Sequence, residues 1–242
     1  MDKIAQLKEI IQQSKNIVFF GGAGVSTESN IPDFRSENGV FKTERGQSLS
    51  PEKVLSHSFF IQNPEEFYRF YRSKMLYPDA KPNIAHLKLA QLEANYKLSA
   101  VITQNIDGLH QIAGSKNVYE LHGSVHHNHC LQCNEYYDLS YILQSKSIIP
   151  RCKTCNGIIK PDVVLYEEPL NDNIVGNAIE AIKNADTLIV GGTSLVVYPA
   201  AGFLSYFTGS KLILINRGST SYDSQADLVV NDSIGEVISQ VI

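Results

Sequence analysis

The spacing of the cysteines constrains this chain most. Cys130-x-x-Cys133 and Cys152-x-x-Cys155 hold all four, with 18 residues between the pairs. Two such knuckles close a tetrahedral four-thiolate zinc site. Four thiolates leave no open coordination position, so the expected metal is structural rather than catalytic. Such a site supplies about 10–16 kcal/mol of apparent binding energy to a segment too small to fold alone. Pro150-Arg151 leads into the second knuckle, and Asn156-Gly157 leaves it in a turn. Two readings compete. A pair of disulfides needs an oxidising compartment, and a redox dithiol needs only one Cys-x-x-Cys. His126, His127 and His129 precede the first knuckle. With four thiolates available, they are expected to be polar residues of a loop or exposed strand.

The rest of the chain alternates short apolar strands with helices. Residues 4–13 place Ile4, Leu7, Ile10 and Ile11 on one helical stripe. Strands are expected at 17–20, 98–103, 117–121, 187–190, 211–216 and 227–230. Helices are expected near 83–94, 172–183 and 199–207, and from about 233. Continuous runs such as Ile17-Val18-Phe19-Phe20 suit strands covered on both faces. The pattern therefore predicts an α/β fold with a doubly wound parallel sheet. Two segments interrupt it: an aromatic-rich helical insert at 36–82 and the cysteine segment at 124–158. The expected organisation is a large domain of 1–35, 83–123 and 159–242, with both inserts packed into a smaller one. A net charge of −4 argues against broad electrostatic binding of nucleic acid. The N-terminus lacks a signal-peptide pattern. The apolar stretch Leu188–Leu204 is broken by Gly191, Gly192 and Pro199, making it a poor membrane span. A cytoplasmic location is expected.

Gly22-Ala23-Gly24-Val25-Ser26 follows the first strand, with a helix expected after it. Glycines let backbone approach a pyrophosphate, and a helix N-terminus offers N–H donors. Thr27 stands where a third fingerprint glycine would be, so a plain βα turn competes. A second glycine-rich exit, Gly191-Gly192-Thr193-Ser194, and the strand end Asn216 favour a dinucleotide over a bare phosphate. Gln104-Asn105-Ile106-Asp107-Gly108 concentrates polar side chains at another strand end, where a ligand-filled pocket or helix capping accounts for them. His122 ends the strand 117–121 on the same side.

Taken together, Gly22–Ser26, Ile31–Arg35, Thr103–His110, Leu121–Gly123, the two Cys-x-x-Cys pairs, Lys160–Val164 and Gly192–Leu195 occur in the order of the sirtuin family. The chain resembles a bacterial-type sirtuin over nearly its whole length. The resemblance implies a Rossmann-like NAD-binding domain beside a small zinc domain. It implies an NAD-dependent protein lysine deacetylase that yields free lysine, nicotinamide and O-acetyl-ADP-ribose. NAD would be a cosubstrate and zinc structural. Ala23 and Gly24 would lie at the pyrophosphate, Thr27 and Arg35 beside the phosphates and ribose, and Phe34 over the reacting ribose carbon. Gln104 and Asn105 would bind the nicotinamide ribose and an ordered water, with Asn105 counted as catalytic. Ile106 and Asp107 would hold the nicotinamide carboxamide, and His122 would be the general base. Thr193, Ser194, Asn216, Arg217 and Ile234 would bind the adenosine half. Val163 and Val164 would pair with an extended acetyl-lysine peptide. A monomer without membrane or nucleic-acid partners is expected. Mono-ADP-ribosyl transfer and removal of longer neutral acyl groups are the alternatives. A dehydrogenase or a zinc-ribbon nucleic-acid module fits less well, since the third glycine and a basic cysteine segment are both missing.

Two departures stand out. Asn30 replaces the glycine usual before Ile-Pro in the family, and Asn tolerates the left-handed conformation. Relatives that remove succinyl or malonyl groups carry Tyr-x-x-Arg in the helical insert. Here Tyr68 falls on the tyrosine and Tyr71 on the arginine, with Arg72 about 100° further around a helix. A preference for acetyl and longer neutral groups follows, because a carboxylate would be buried unpaired. Phe67 and Phe70 are expected to be core.

Overall fold

The computed structural model describes residues 2–34, 39–40, 49–95 and 97–242. Helix α1 (Lys3–Gln13) starts at Asp2, whose carboxylate accepts from the Ile4 amide, and buries Leu7, Ile10 and Ile11. It leads into β1 (Ile17–Gly21). Three short helices follow, α2 (Pro51–Val54), α3 (His57–Gln62) and α4 (Pro64–Lys74). Next come α5 (Ile84–Ala94), β2 (Leu98–Thr103), α6 (Leu109–Ile112) and β3 (Val118–Glu120). The cysteine region contains β4 (Gly123–Cys130), β5 (Tyr136–Asp138), α7 (Leu139–Gln144) and β6 (Ile159–Val163). The chain closes with α8 (Asp172–Asn184), β7 (Thr187–Gly191), β8 (Lys211–Ile215), β9 (Leu228–Val230) and α9 (Ile234–Val241).

Six strands form one sheet in the order β3-β2-β1-β7-β8-β9, and every pair is parallel. Ile17 and Phe19 pack with α1, α5 and α9 on one face, while Val18 and Phe20 pack with α8 on the other. Both faces of β1 are buried, which is why its sequence is apolar without alternation. From β1 the chain builds outward first on one side and then on the other. The topological switch point therefore lies between β1 and β7, where Gly21 aligns with Gly191. Ligands of such sheets bind at the carboxyl ends of the strands there.

A second, antiparallel sheet runs β5-β4-β6. Its inner face joins α2–α4 and α7 in one core containing Phe60, Phe67, Tyr68, Tyr71, Val125, Ile142 and Ile159. The two inserts thus pack together, with residues 36–38 and 41–48 of the helical insert outside the described chain. The expected boundary at 158/159 falls inside this sheet, because β6 pairs with β4 through Ile159↔Cys130 and Val163↔Gly123. The boundary at 123/124 likewise cuts β4 after its first residue.

Two expected α-helices take tighter forms. After the glycine loop the chain makes two 3₁₀ turns, Ala23–Val25 and Thr27–Ser29, closed by Asn30 in the left-handed region at φ 63°. Thr27 Oγ1 donates to the Gly24 carbonyl at 3.0 Å, so a local side-chain bond competes with a helical one. The segment Ala200–Tyr206 is also 3₁₀. Three residues per turn stack Ala200 on Phe203 and Ala201 on Leu204, and all four are buried.

Candidate active site

The two glycine loops at the switch point pack directly on each other. The Gly24 amide donates to the Gly192 carbonyl at 2.8 Å. A Cβ on Gly24 would come within 2.7 Å of Gly192 Cα, and Gly192 itself sits at φ +61°. These glycines therefore permit loop-to-loop contact as well as approach by a ligand.

The segment Gln104–Gly108 bridges this loop pair to the small sheet. Gln104 N donates to Gly21 O at 3.0 Å, and Gln104 Nε2 donates to Thr193 Oγ1 at 3.1 Å. Ser26 Oγ, 1% exposed, accepts from Asn105 Nδ2 at 3.0 Å and donates to Asp107 Oδ2 at 2.7 Å. The other Asp107 oxygen accepts from Leu109 N at 2.9 Å, capping α6. On the far side, Val125 N donates to Ile106 O at 3.0 Å, and His126 Nε2 lies 3.0 Å from Asp107 O. Gly108 is at φ +70°, and a Cβ there would meet the His126 ring at 2.7 Å. The carboxylate and amides expected to face nicotinamide are thus clamped from both sides.

His122 ends the turn after β3, and its Nδ1 lies 3.0 Å from the Gln104 carbonyl. A carbonyl only accepts, so Nδ1 carries the proton and Nε2 keeps its lone pair. Burial pushes the His122 pKa down, opposed by that hydrogen bond. The imidazole is therefore held neutral at physiological pH, the form a general base needs. Its own carbonyl accepts from Val164 N at 2.9 Å, tying the base to the end of β6. β6 is an edge strand of its sheet, with one side unpaired by β4.

At the other end, Asn216 Oδ1 accepts from Thr193 N at 2.8 Å, while its buried Nδ2 has no partner among the described residues. Glu28 Oε1 accepts from Gly235 N at 3.1 Å at the start of α9. A single cleft of about 910 Å³ joins these features. Its walls include Ala23, Gly24, Thr27, Phe34, Gln104, Asn105, Ile106, Asp107, His122, Val163, Val164, Thr193, Ser194, Asn216, Arg217 and Ile234. Of the residues named from sequence for this site, only Arg35 lies outside the described chain. Two glycine-lined turns and the orphaned Asn216 amide on the wall of one cleft fit a dinucleotide.

Sequence reasoning did not single out Ser26, His126 or Gly192. Ser26 and Gly192 stood inside quoted motifs without a role. His126 was set aside with two other histidines, and only β4 passing under the Gln104–Gly108 loop distinguishes it. His127 and His129 face outward, near Tyr136 and Asp162 respectively. Tyr68 is turned into the core, where its hydroxyl donates to the Ile159 carbonyl. Arg72 donates to Ser147 O at 3.1 Å. The pair expected for an acyl carboxylate is not assembled. Phe67 is fully buried and Phe70 partly so, both against the small core.

The four cysteines form a separate centre away from the cleft. Their Sγ atoms all lie within 4.8 Å of one another, with close pairs at 3.3–3.5 Å. No pair is at disulfide distance. Zn–S bonds of about 2.3 Å at tetrahedral angles separate sulfurs by about 3.8 Å, so the set fits zinc. Each knuckle ends on an asparagine in the left-handed region, Asn134 (φ 59°) and Asn156 (φ 62°). Their amides donate to Cys130 O and Cys152 O, both at 3.0 Å. Tyr137 Oη donates to Cys152 Sγ at 3.2 Å, and the Gln132 and Thr154 amides donate to Cys130 and Cys152 sulfur at 3.4 Å. Such donors stabilise thiolate ligands.

Comparison with known proteins agrees with this geometry. The Sir2 family model matches residues 22–199. A protein of Clostridium perfringens named NAD-dependent protein deacetylase is 63% identical over 242 residues, covering 100% of this chain and 99% of its own. A protein of the same name from Clostridium acetobutylicum is 62% identical with the same coverage. The fold superposes on a Sir2 structure with a p53 peptide and NAD+ at a TM-score of 0.87 and 40% identity, covering 100% and 97% of the two chains. A Sir2 complex with a deacetylated p53 peptide and 3′-O-acetyl ADP ribose gives 0.92 at 39% identity, covering 99% and 97%.

Proposed function

Since this chain belongs to the Sir2 family, we propose that its cleft performs NAD-dependent protein lysine deacetylation. NAD is a substrate here, consumed with release of nicotinamide. The acetyl group passes from lysine to ADP-ribose. The observation that carries this reading is His122, half-buried on the cleft wall, with Nδ1 committed to Gln104 O and Nε2 free to accept a proton.

The remaining residues take roles in line with their surroundings. The Gly22–Thr27 turns and Thr193-Ser194 receive the phosphates, and Asn216 Nδ2 supplies the unspent donor for the adenosine ribose. Arg217 and Ile234 border that end. Ile106 backbone and Asp107 receive the carboxamide of nicotinamide, held in register by Ser26 and His126. Phe34 covers the reacting ribose carbon against water. Gln104 and Asn105 orient the nicotinamide ribose, whose hydroxyls relay a proton to His122. An acetyl-lysine peptide adds as a strand beside Val163-Val164, its backbone rather than its side chains supplying most contacts.

The zinc ligands would be Cys130, Cys133, Cys152 and Cys155, and the ion would fix β4 and the second knuckle without entering the chemistry. A reducing, cytoplasmic setting and a monomeric state go with this reading. No helix of the described residues is long and apolar enough to cross a membrane. The test is an acetyl-lysine peptide incubated with and without NAD and followed by mass spectrometry. NAD-dependent loss of acetyl, with O-acetyl-ADP-ribose formed, is expected. ADP-ribose left on the peptide or protein, with acetyl retained, would replace this reading with ADP-ribosyl transfer.

A further inference from the structure

Thr27 and Ile234 both line the cleft, one from the phosphate turns and the other from the start of α9. One residue further along each segment, behind the wall, Glu28 meets Gly235. The Gly235 amide donates to Glu28 Oε1 at 3.1 Å, and neither residue lines the cleft. The fit is close. A Cβ on Gly235 would collide with Glu28 Oε2 and lie 2.7 Å from its carboxyl carbon, so any side chain there displaces the carboxylate. Ser233, in the cap position of α9, makes no side-chain bond to the first turn. The acceptor that a helix start needs comes instead from Glu28, more than 200 residues away in sequence. A carboxylate is also the charge favoured at a helix N-terminus.

Packing holds the body of this helix without that bond. Ile234, Val237, Ile238 and Val241 are buried in the core that α1, α5 and β1 share. What Glu28 fixes is the place of the first turn of α9 relative to the 3₁₀ turn Thr27–Ser29. We propose that Glu28 is a positioning residue for the cosubstrate, tying the phosphate turns to the adenosine end of the cleft. It acts through its neighbour Thr27 on one side and through Gly235 and Ile234 on the other, without touching NAD.

A dinucleotide has to satisfy both halves of its site at once. A loosened separation therefore costs affinity for NAD, while the chemistry at His122 and the peptide strand beside Val163-Val164 stay as they are. This inference rests on the deacetylase reading and adds to it a determinant of NAD affinity outside the cleft wall.

The experiment uses the zinc-loaded enzyme and reads kcat, the KM for NAD and the KM for an acetyl-lysine peptide, with NAD affinity measured separately by calorimetry. Glu28→Ala should raise the KM for NAD about tenfold and leave kcat and the peptide KM within about twofold. Glu28→Gln keeps an acceptor oxygen and should stay within about threefold of wild type. Gly235→Ala pushes the carboxylate aside and should raise the KM for NAD as Glu28→Ala does. In the Glu28→Ala background the same substitution meets no carboxylate, so the double variant should match Glu28→Ala alone. A merely structural role would lower Tm and the active fraction, hence kcat, with neither this split nor this non-additivity. An unchanged KM for NAD in Glu28→Ala or in Gly235→Ala overturns the proposal, as does additive loss in the double variant. Gly235→Ala carries the test with Glu28 in place, so it decides the matter even if Glu28→Ala does not fold. Wild type inactive on the acetyl-lysine peptide with NAD would count against the deacetylase reading instead, and calorimetry on the variants would still decide the role of Glu28.

Discussion

The cleft and the cysteine knuckles are both polar, yet they differ in what they leave unpaired. At the knuckles the four sulfurs face one another, and Tyr137 and two backbone amides donate onto them. Nothing there is open to a substrate. In the cleft, side chains hold one another through one atom and keep a second in reserve. His122 spends Nδ1 and keeps Nε2, and Asn216 spends Oδ1 and keeps Nδ2. A centre built for stability closes its valences, whereas one built for turnover holds some open at a cost in stability.

Removing zinc is the strongest way to break this contrast. Chelation, or Cys130→Ser, should remove the metal and with it an interaction on the order of 10 kcal/mol. The small sheet should then melt well below the large one, giving a separate low-temperature step in thermal unfolding. Deacetylation should vanish too, because β4 carries both Cys130 and the Val125 and His126 contacts to the Ile106–Asp107 turn. Full zinc content with an unchanged Tm in Cys130→Ser would contradict a structural metal.

His122→Ala is the converse. It removes the reserved lone pair and little packing. Turnover of an acetyl-lysine peptide should fall about 10²–10⁴-fold, while Tm stays within a few degrees. Near-normal activity in the folded variant would remove His122 from the base role.

How much of this was legible before any coordinates depended on how local the cause was. The knuckles were legible from spacing, because two Cys-x-x-Cys units 18 residues apart match a four-thiolate site, and the four sulfurs do lie together. β1 and β7 were legible because strands covered on both faces must be apolar throughout. The 3₁₀ turns at Ala23–Ser29 were not, since Gly24 docking on Gly192 is a contact between distant segments. The same is true of β6. Lys160–Val163 looks like the start of the returning large domain, yet it pairs with β4. Ser26 and His126 were missed because their importance lies in reaching Asp107, and no periodicity marks that.

A buried histidine pair beneath the cleft sharpens the comparison through pH. His86 and His110 pack with ring centroids 4.7 Å apart. Burial pushes His86 down to about 4, with Asp107 opposing, and burial together with its neighbour pushes His110 down to about 3. Both are neutral in the fold and protonate more readily when unfolded. Their contribution is therefore present above about pH 6.5 and is lost as pH falls through that value toward the folded pKa values. At about 1.4 kcal/mol per pH unit for each histidine, stability should drop on the order of 5 kcal/mol for the pair between about pH 6.5 and about pH 4. His110→Phe should flatten that loss in denaturant titrations across the range. A slope identical to wild type would assign the acid sensitivity to other groups.

The smallest effect is the most discriminating, because it removes one hydroxyl from each region. Ser26→Ala leaves the Asn105 amide and one Asp107 oxygen each short of a partner in the cleft. Tyr137→Phe removes the donor to Cys152 Sγ and the acceptor for the Lys153 amide at the knuckle. Each loss is worth about 1–2 kcal/mol, but it should register in different quantities. Ser26→Ala should raise the KM for NAD and weaken inhibition by nicotinamide about tenfold, with zinc affinity unchanged. Tyr137→Phe should release zinc to a chelator more readily, with the KM for NAD unchanged. The reason lies in what each hydroxyl orders. One fixes groups that must meet a ligand at every turnover, and the other fixes a ligand that never leaves. If both variants moved both quantities alike, Val125 and His126 would be coupling the regions tightly enough that cleft and knuckle act as one unit.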